Sequence, residues 1–344
     1  MLINVLNNFE ALKKYDIVPK NNMISDSYVG IEVEVESLRD FQGDFVYWQD
    51  KEDGSLRDNG REFVTHPIPA SHVPLALTEL KCFLDVVNPK HSFSTRTSVH
   101  VHLNVRDLSF KQLHVLSIVY MLFEKAFYKF AGRDRNKNIF CVPHADSIDY
   151  YTVAKAMEMS SKEDDMSIDD LLTLRRMFDN CRRYVGFNVK CIPTYGTVEF
   201  RHLPGTMDIE RITTWINLIL SLKKYVMENS YEQVLDSCLT INTTSQYEQL
   251  LSSVFGEYKD AIMYPEYAKD MYTSILFMKE AVNYKNIWTM TAEVGNGKIQ
   301  NSSYVKKVSA EKKEIKEKKI EAVYTMEDYL RVVNGGMNIN IGGM

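Results

Sequence analysis

Strict alternation of apolar and polar residues marks four segments of the chain as strands. Residues 29–38 read VGIEVEVESL, with an acidic residue at every second position from Glu32 to Glu36. The same two-residue period, which places alternate side chains on opposite faces of a sheet, continues in residues 61–66 (REFVTH), 98–105 (SVHVHLNV) and 196–203 (GTVEFRHL). A further strand is predicted over residues 184–190. Each strand of the predicted sheet therefore has one apolar face and one polar face.

Longer segments with a helical period separate these strands. Ser109 and Gln112 form a capping box that begins a mostly apolar, buried helix over residues 109–131. The other predicted helices cover residues 71–87 with Ser71 as the N-cap, 168–180, and about 207–227 with Thr206 or Asp208 at the start. The loop-rich segment after the first strand and the polar segment 133–165 are predicted to be irregular.

This order of elements predicts an α+β domain with a mainly antiparallel sheet, helices packed on one face, and a helical C-terminal extension. We divide the chain into a lead segment (1–27), a main domain (28–229), a helical extension (230–304) and a charged segment (305–344). In the last segment, Thr325 and Asp328 form a capping box for a short helix before a glycine-rich tail that is predicted to be flexible.

Composition narrows the class of protein. The 344 residues carry a formal net charge of −5, which argues against a protein that binds nucleic acid through its phosphates. The five cysteines are odd in number and form no CxxC pair, which argues against a disulfide framework or a zinc ribbon. The first residues lack the apolar core of a signal peptide, and no segment approaches the roughly 20 apolar residues of a membrane span. We therefore expect a soluble, cytoplasmic protein.

Charged and metal-binding side chains lie on one face of each predicted strand. Period-two spacing puts the three glutamates of the first strand on one face, and a solvated outer face would explain these acids taken alone. The other strands repeat the pattern with Glu62, with His100 and His102, and with Glu199 and Arg201. A sheet face with this composition is costly unless its charges meet a ligand.

The residue types indicate which ligand this face would bind. Hard divalent cations such as Mg²⁺ or Mn²⁺ prefer carboxylate oxygens and accept an occasional imidazole. Arg201 cannot bind a cation, but its planar guanidinium suits a phosphate group. Carboxylates for a metal beside an arginine for phosphate predict a site for a metal–nucleotide complex.

Four motifs in this order resemble the amidoligase family, which is related to glutamine synthetase and glutamate–cysteine ligase. These motifs are GIEVEVE, DGSL with GREFVT, SVHVHLN, and GTVEFRHLPGTMD followed by a helix that contains Trp215. The resemblance covers about residues 28–225. It implies a glutamine-synthetase-like fold and makes residues 28–229 an amidoligase-like catalytic domain.

The resemblance also implies roles for individual residues. One metal ion would be shared by Glu34 and Glu62, and another by Glu32, His100 and Glu199. His102 would lie near the nucleotide, Arg201 would contact phosphate, and Arg183, with Arg182 beside it, would steady the transferred phosphoryl group.

Asp53 would hold the incoming amine or touch a metal ion, although its Asp-Gly sequence is equally typical of a plain turn. Glu36 is interpreted as a surface acid, and Tyr184, Phe187 and Trp215 as core residues. Asn188 belongs to the family pattern without an assigned role.

By this resemblance the chain is an ATP-dependent carboxylate–amine ligase that forms an amide or peptide bond through an acyl phosphate. Its cofactors would be ATP and two or more Mg²⁺ or Mn²⁺ ions. Its substrates would be small-molecule or peptide carboxylates and amines, and neither nucleic acid nor a membrane is expected as a partner. Three alternatives stay open: a kinase of the same fold, a metal-dependent hydrolase, and a catalytically silent binding or assembly protein whose charged C-terminal segment is an interaction arm.

Overall fold

The computed structural model describes residues 27–282, apart from residues 40, 42, 44, 133, 148, 149 and 266. Within these residues, seven strands form one sheet in the order β2-β3-β1-β5-β7-β6, with β4 paired to the start of β1. Every neighbouring pair is antiparallel. The strands are β1 (Tyr28–Val35), β2 (Trp48–Glu52), β3 (Arg61–Thr65), β4 (Ile68–Pro69), β5 (Ser98–Asn104), β6 (Phe187–Asn188) and β7 (Thr197–Pro204).

In the described part of the chain, ten α-helices lie between these strands or after the last of them. They are α1 (Val73–Val87), α2 (Phe110–Ala131), α3 (Tyr150–Ser160), α4 (Ile168–Asn180), α5 (Ile192–Tyr195), α6 (Ile209–Glu228), α7 (Tyr231–Leu239), α8 (Thr244–Phe255), α9 (Lys259–Ile262) and α10 (Tyr267–Val282). In the described part of the chain, no helix combines the length and the apolar composition needed to cross a membrane.

The apolar face of the sheet forms the hydrophobic core with the helices. In β1 the residues at every second position are buried, namely Val29, Ile31, Val33 and Val35. The apolar residues beside them in β5, and next to those in β7, are buried as well: Val99, Val101, Leu103, Val198 and Phe200. Helices α2 and α6 contact β7 and β5, respectively. Trp215 of α6 is buried and packs its ring against Phe127 and Phe130 of α2. The period-two pattern thus corresponds to burial on one side of the sheet.

Most predicted elements are confirmed, including the α+β class and the antiparallel sheet. The Ser109–Gln112 capping box is present, α4 spans the predicted residues, and Asp208 caps α6. Phe187 and Trp215 are buried in the core, as predicted.

Other predictions were wrong. Strand β2 and helix α3 lie in segments that were predicted to be irregular. The strand predicted over 184–190 is reduced to β6, because a 3₁₀ turn and α5 take up residues 189–195. A 3₁₀ turn over residues 70–72 takes up Ser71, so α1 begins after His72 and has no side-chain cap. Residues 283–344, which include the predicted charged helix and tail, and nearly all of the lead segment lie outside the described residues.

A carboxyl group lies inside the helical layer. Glu124 of α2 is buried, and its oxygens accept hydrogen bonds from the Tyr120 hydroxyl at 2.8 Å and from the backbone N–H groups of His144 at 2.6 Å and Ala145 at 3.2 Å. Burial outweighs these hydrogen bonds and raises the pKa of Glu124 from its ordinary value of 4.5 to about 7. Glu124 therefore ties α2 to the 143–146 segment.

This carboxyl makes stability depend on pH. Because the folded state holds the Glu124 proton more tightly than the unfolded state, its contribution is complete below pH 4.5 and is lost as the pH rises through about 7. At ~1.4 kcal/mol per pH unit, the loss amounts to about 3 kcal/mol. We predict that Glu124→Gln reduces the decline in the free energy of unfolding between pH 5 and pH 8.5, measured by urea unfolding, by about 3 kcal/mol. An unchanged decline in the variant would assign the pH dependence to other groups.

Candidate active site

The register of the sheet brings the predicted site residues together on its polar face. Across β1 and β3, Glu34 lies opposite Glu62. Across β1 and β5, Glu32 lies opposite His100. Across β5 and β7, His102 lies opposite Glu199. Because each of these residues sits at a polar position of its strand, the pairing places carboxylates and imidazoles from four strands side by side.

His100 lies at the centre of this group. Its Nδ1 is 3.1 Å from Glu32 Oε2 and 3.4 Å from Glu199 Oε1, and its Nε2 is 4.0 Å from Glu34 Oε1. The His100 side chain is only 2% exposed. His100 therefore contacts both Glu32 and Glu199, the two residues predicted to share a metal ion with it.

A second group of carboxylates lies beside the first. Oxygens of Glu34, Asp53 and Glu62 lie within 4.8 Å of one another, and so do the ligand atoms of Glu32, Glu62 and His100. Glu62 thus belongs to both groups. The predicted pair of Glu34 and Glu62 is brought together, and Asp53 joins it from the loop between β2 and β3.

The loop that carries Asp53 is held in place by half-buried hydrogen bonds. Glu36 accepts a hydrogen bond from the Arg57 backbone N–H at 3.0 Å, and Arg96 Nε donates to the Ser55 carbonyl at 3.0 Å. Glu36 is 4% exposed, so the prediction that it is a surface acid was wrong. Its carboxylate satisfies the Arg57 backbone N–H and so fixes the course of this loop.

His102 borders a pocket on the same face of the sheet. Its Nε2 is 3.1 Å from Glu32 Oε1 and its Nδ1 is 2.9 Å from Thr197 Oγ1. The pocket is lined by Tyr28, Lys51, Pro67, Asn104, Arg106 and Tyr195, among others. It therefore combines aromatic and aliphatic walls with two cationic side chains next to the carboxylate cluster.

Arg201 joins the cluster on the side of β7. Its guanidinium group is hydrogen-bonded to Glu199 Oε1, and its Nε donates to the Phe140 carbonyl at 3.3 Å. The Arg201 and Arg183 guanidinium carbons lie 5.8 Å and 4.7 Å from the centre of the Tyr184 ring. Tyr184 is 36% exposed, so the prediction of a core role was wrong. Its ring instead links the two arginines through cation–π contacts. Arg182, the neighbour of Arg183 in the chain, is exposed.

The profile of the family described as "Putative amidoligase enzyme" matches residues 11–223, which is more than half of the chain. The chain belongs to this amidoligase family. This confirms the resemblance drawn from the motifs. No curated protein matches the chain at a significant level. All the candidate site residues of this amidoligase-family chain fall inside the matched range, whereas helices α7–α10 follow it.

Local charges divide the cluster into two halves. Although burial opposes ionisation, His102 and His100 hold the pKa of Glu32 well below its ordinary range, and Arg201 with the two histidines lowers the pKa of Glu199. In the other half, burial raises the pKa of Glu34, and burial with the neighbouring charges of Glu32 and Glu34 raises the pKa of Glu62 to about 8. Carboxylates in this second half need a positive partner to ionise together.

The side chains present fit divalent cations. His100 Nε2 is buried and has no hydrogen-bond partner among the described residues, and it faces the Glu34 carboxylate. A buried imidazole nitrogen without a partner is costly, and a cation bound between these groups would remove that cost. Oxygen-rich ligand sets with one or two imidazoles suit Mg²⁺ and Mn²⁺. Glu32, Glu34, Glu62, His100 and Glu199, with Asp53, are the residues that would hold the ions.

Sequence reasoning missed the roles of two residues that adjoin Glu199. Asn188 Nδ2 donates to Glu199 Oε2 at 2.6 Å, which gives this asparagine a positioning role. Cys191 Sγ lies 3.4 Å from the same oxygen. In the β6–β7 register, Phe187 pairs with Phe200 and Asn188 pairs with Glu199. The alternation of strand side chains could therefore have placed Asn188 on the polar face of the sheet. Cys191 is the last residue of a 3₁₀ turn, so no sequence period reveals its position.

We predict that Mg²⁺ or Mn²⁺ raises the midpoint of thermal unfolding in a concentration-dependent way, with a gain of about 3 kcal/mol at ~100 times the dissociation constant. Glu34→Gln should remove this response. The same variant without metal should be more stable than the native chain by about 1 kcal/mol, because it relieves repulsion between buried carboxylates. Differential scanning fluorimetry with and without a chelator measures both effects.

Glu52→Gln is the matched control, since Glu52 is an exposed carboxylate of the same sheet paired with Arg61. This variant should keep the full metal response. A native chain whose midpoint does not respond to either metal would contradict the assignment of the cluster as a cation site.

Proposed function

We propose that the protein is an ATP- and magnesium-dependent ligase that joins a carboxylate to an amine through an acyl phosphate. The observation that carries the proposal is the contact of a buried carboxylate–imidazole cluster, suited to two cations, with the guanidinium group of Arg201. Family membership supports the class of reaction. We also propose that the sheet is related to that of glutamine synthetase.

The reaction requires activation, because a carboxylate oxygen does not leave when an amine attacks it in water. Transfer of a phosphoryl group from ATP converts that oxygen into a phosphate leaving group. When bound, the divalent ions neutralise charge on the phosphate oxygens and help to align them. The carboxylate cluster of the chain provides the places for these ions.

Arg201 is the proposed group that stabilises the transferred phosphoryl group. Its contacts with Glu199 and with the Phe140 carbonyl occupy part of its guanidinium and fix the direction of the side chain. The remaining donors are available for phosphate oxygens, to which a guanidinium binds with charge-assisted hydrogen bonds. Glu199 keeps Arg201 cationic, since it helps to raise the pKa of Arg201 above its ordinary value against the effect of burial.

Arg183 and Asp53 complete the proposed catalytic set. Tyr184 holds the Arg183 guanidinium over its ring, on the same aromatic group that Arg201 approaches, so Arg183 can supply a second positive charge to the phosphoryl group. Asp53 lies with Glu34 and Glu62, at the start of the loop between β2 and β3. An amine that enters beside this group meets a carboxylate able to orient it and to accept its proton.

The pocket beside His102 is the proposed nucleotide site. Tyr28, Pro67 and Tyr195 offer flat apolar surfaces for a base or a sugar, whereas Lys51 and Arg106 offer positive charge. The pocket opens beside Glu32, so a nucleotide bound there would direct its phosphates toward the cluster. Arg182, which was also predicted to bind the nucleotide, has the weaker support, because it does not belong to the lining of this pocket.

The test is phosphate release from ATP with Mg²⁺ and a pooled mixture of carboxylates and amines, with product masses recorded. We predict that the native chain releases phosphate when both substrates are present and forms an amide. Glu34→Ala and Arg201→Ala should each lower the rate by about 100-fold or more, because each removes a group that stabilises the transition state.

The matched controls are Glu52→Gln and Arg61→Lys, which change an ion pair on the same sheet outside the cluster. Both should keep the native rate. A phosphorylated product that forms without an amine would favour a kinase instead. Hydrolysis that proceeds without ATP would favour a metal-dependent hydrolase, and an absence of magnesium-dependent nucleotide binding would favour a silent binding protein.

A further inference from the structure

Cys191 stands apart from the other cysteines of the chain. Cys141, Cys181 and Cys238 are buried and belong to none of the groups of possible metal ligands among the described residues, and Cys82 is exposed on α1. Cys191 is half-buried, and its Sγ lies 3.4 Å from Glu199 Oε2. A thiol donates only weak hydrogen bonds, so this contact contributes little to the stability of the fold. Its place beside a group of metal-binding side chains needs another explanation.

The backbone around Cys191 holds the thiol on the polar face of the sheet. Asn188 begins the 3₁₀ turn that ends at Cys191, with its Oδ1 accepting a hydrogen bond from the Lys190 backbone N–H at 3.0 Å. The same side chain donates through Nδ2 to Glu199 Oε2 and approaches Cys191 Sγ at 3.4 Å. Asn188 thus fixes the thiol and the Glu199 carboxylate relative to each other.

His102 completes a set of three possible ligands. One ligand atom each from His102, Cys191 and Glu199 lies within 4.8 Å of the other two. His102 is held by Thr197 at Nδ1, which leaves Nε2 as the nitrogen that faces the cluster and contacts Glu32. Sulfur, imidazole and carboxylate ligands together are typical of zinc, whereas Mg²⁺ has little affinity for a thiolate.

We propose that Cys191, His102 and Glu199 form a binding site for zinc or a similar borderline-soft divalent ion. Three protein ligands leave a fourth position open for water or for Glu32, as in zinc sites that are not closed by protein. On binding, the Cys191 S–H bond breaks, a sulfur–metal bond forms and the proton passes to solvent, with no change of oxidation state.

This site would make the proposed ligase sensitive to zinc, an effect that rests on the proposed function. Glu199 is shared between the zinc site and the cluster assigned to Mg²⁺, so both ions cannot use it fully at once. Zinc binds nitrogen and sulfur ligands more tightly than Mg²⁺ does. Zinc would therefore inhibit by drawing Glu199 and His102 away from the positions that the magnesium–nucleotide complex requires.

The test uses Co²⁺ as a spectroscopic substitute for zinc on the full chain. We expect Co²⁺ to give a thiolate-to-metal charge-transfer absorption in the near ultraviolet, which added Zn²⁺ displaces. Cys191→Ser should abolish this absorption, and Cys82→Ser, which changes an exposed cysteine, should retain it. Loss of an outer partner alone typically weakens metal binding 10–100-fold, so Cys191→Ser and Cys191→Ala should weaken zinc binding at least about tenfold.

Circular dichroism shows whether Cys191→Ser and Cys191→Ala are folded. The cobalt absorption of either folded variant is enough to test the proposed site. Absence of the charge-transfer absorption in the native chain, or its persistence in Cys191→Ser or Cys191→Ala, would overturn the proposal. Thermal shifts with Mg²⁺ on the same native sample test the hard-cation cluster separately. A cobalt–thiolate absorption without a magnesium response would contradict the proposed function and leave the zinc site standing.

Discussion

Repulsion among buried carboxylates is the constraint on which this structure depends. Glu32, Glu34, Glu62 and Glu199 come from three strands of one sheet, and Asp53 adds a fifth acid. The opposite face of the same sheet is buried, with α2 packed against β7 and α6 against β5, so the strands cannot turn their acids away without exposing Val and Ile residues. Folding of the core therefore forces these charges together, and positive groups must compensate for them.

The residues that the structure describes supply only part of that compensation, and they do so unevenly. Arg201, His100 and His102 lie against Glu199 and Glu32 and favour their ionised forms. Around Glu34 and Glu62, burial and mutual repulsion favour the neutral forms, and Lys51 opposes this only in part. The half that contains Glu34 and Glu62 therefore has the stronger need for a bound cation. The half that contains Glu32 and Glu199 already has positive side chains beside it, and in the proposed function these would meet phosphate as well as metal.

The sequence predicts the features that follow from a fixed period. In β1, in β5 and in β7 as far as Arg201, the face of each residue depends on whether its position is odd or even. Spacing alone is therefore enough to place Glu32, His100 and Glu199 on polar faces of their strands. The features that depend on irregular backbone cannot be predicted in this way. Tyr184, Cys191 and the buried Glu36 owe their positions to loops, a 3₁₀ turn and an isolated bridge, for which residue spacing gives no direction.

This division between strands and loops also separates the parts of the proposed chemistry. Apart from Asp53, the residues assigned to the cations lie on β1, β3, β5 and β7, where the hydrogen-bond ladder fixes their separations. Asp53, Arg183 and Tyr184 lie on connecting segments. Together with Arg201 of β7, this part of the site contains the proposed groups that meet the amine and the phosphoryl group. Strands hold a constellation more accurately than loops do, and loops vary more readily between relatives. The strand residues therefore carry information about the class of reaction, whereas the loops around Asp53 and Tyr184 are where the identity of the substrates must be sought.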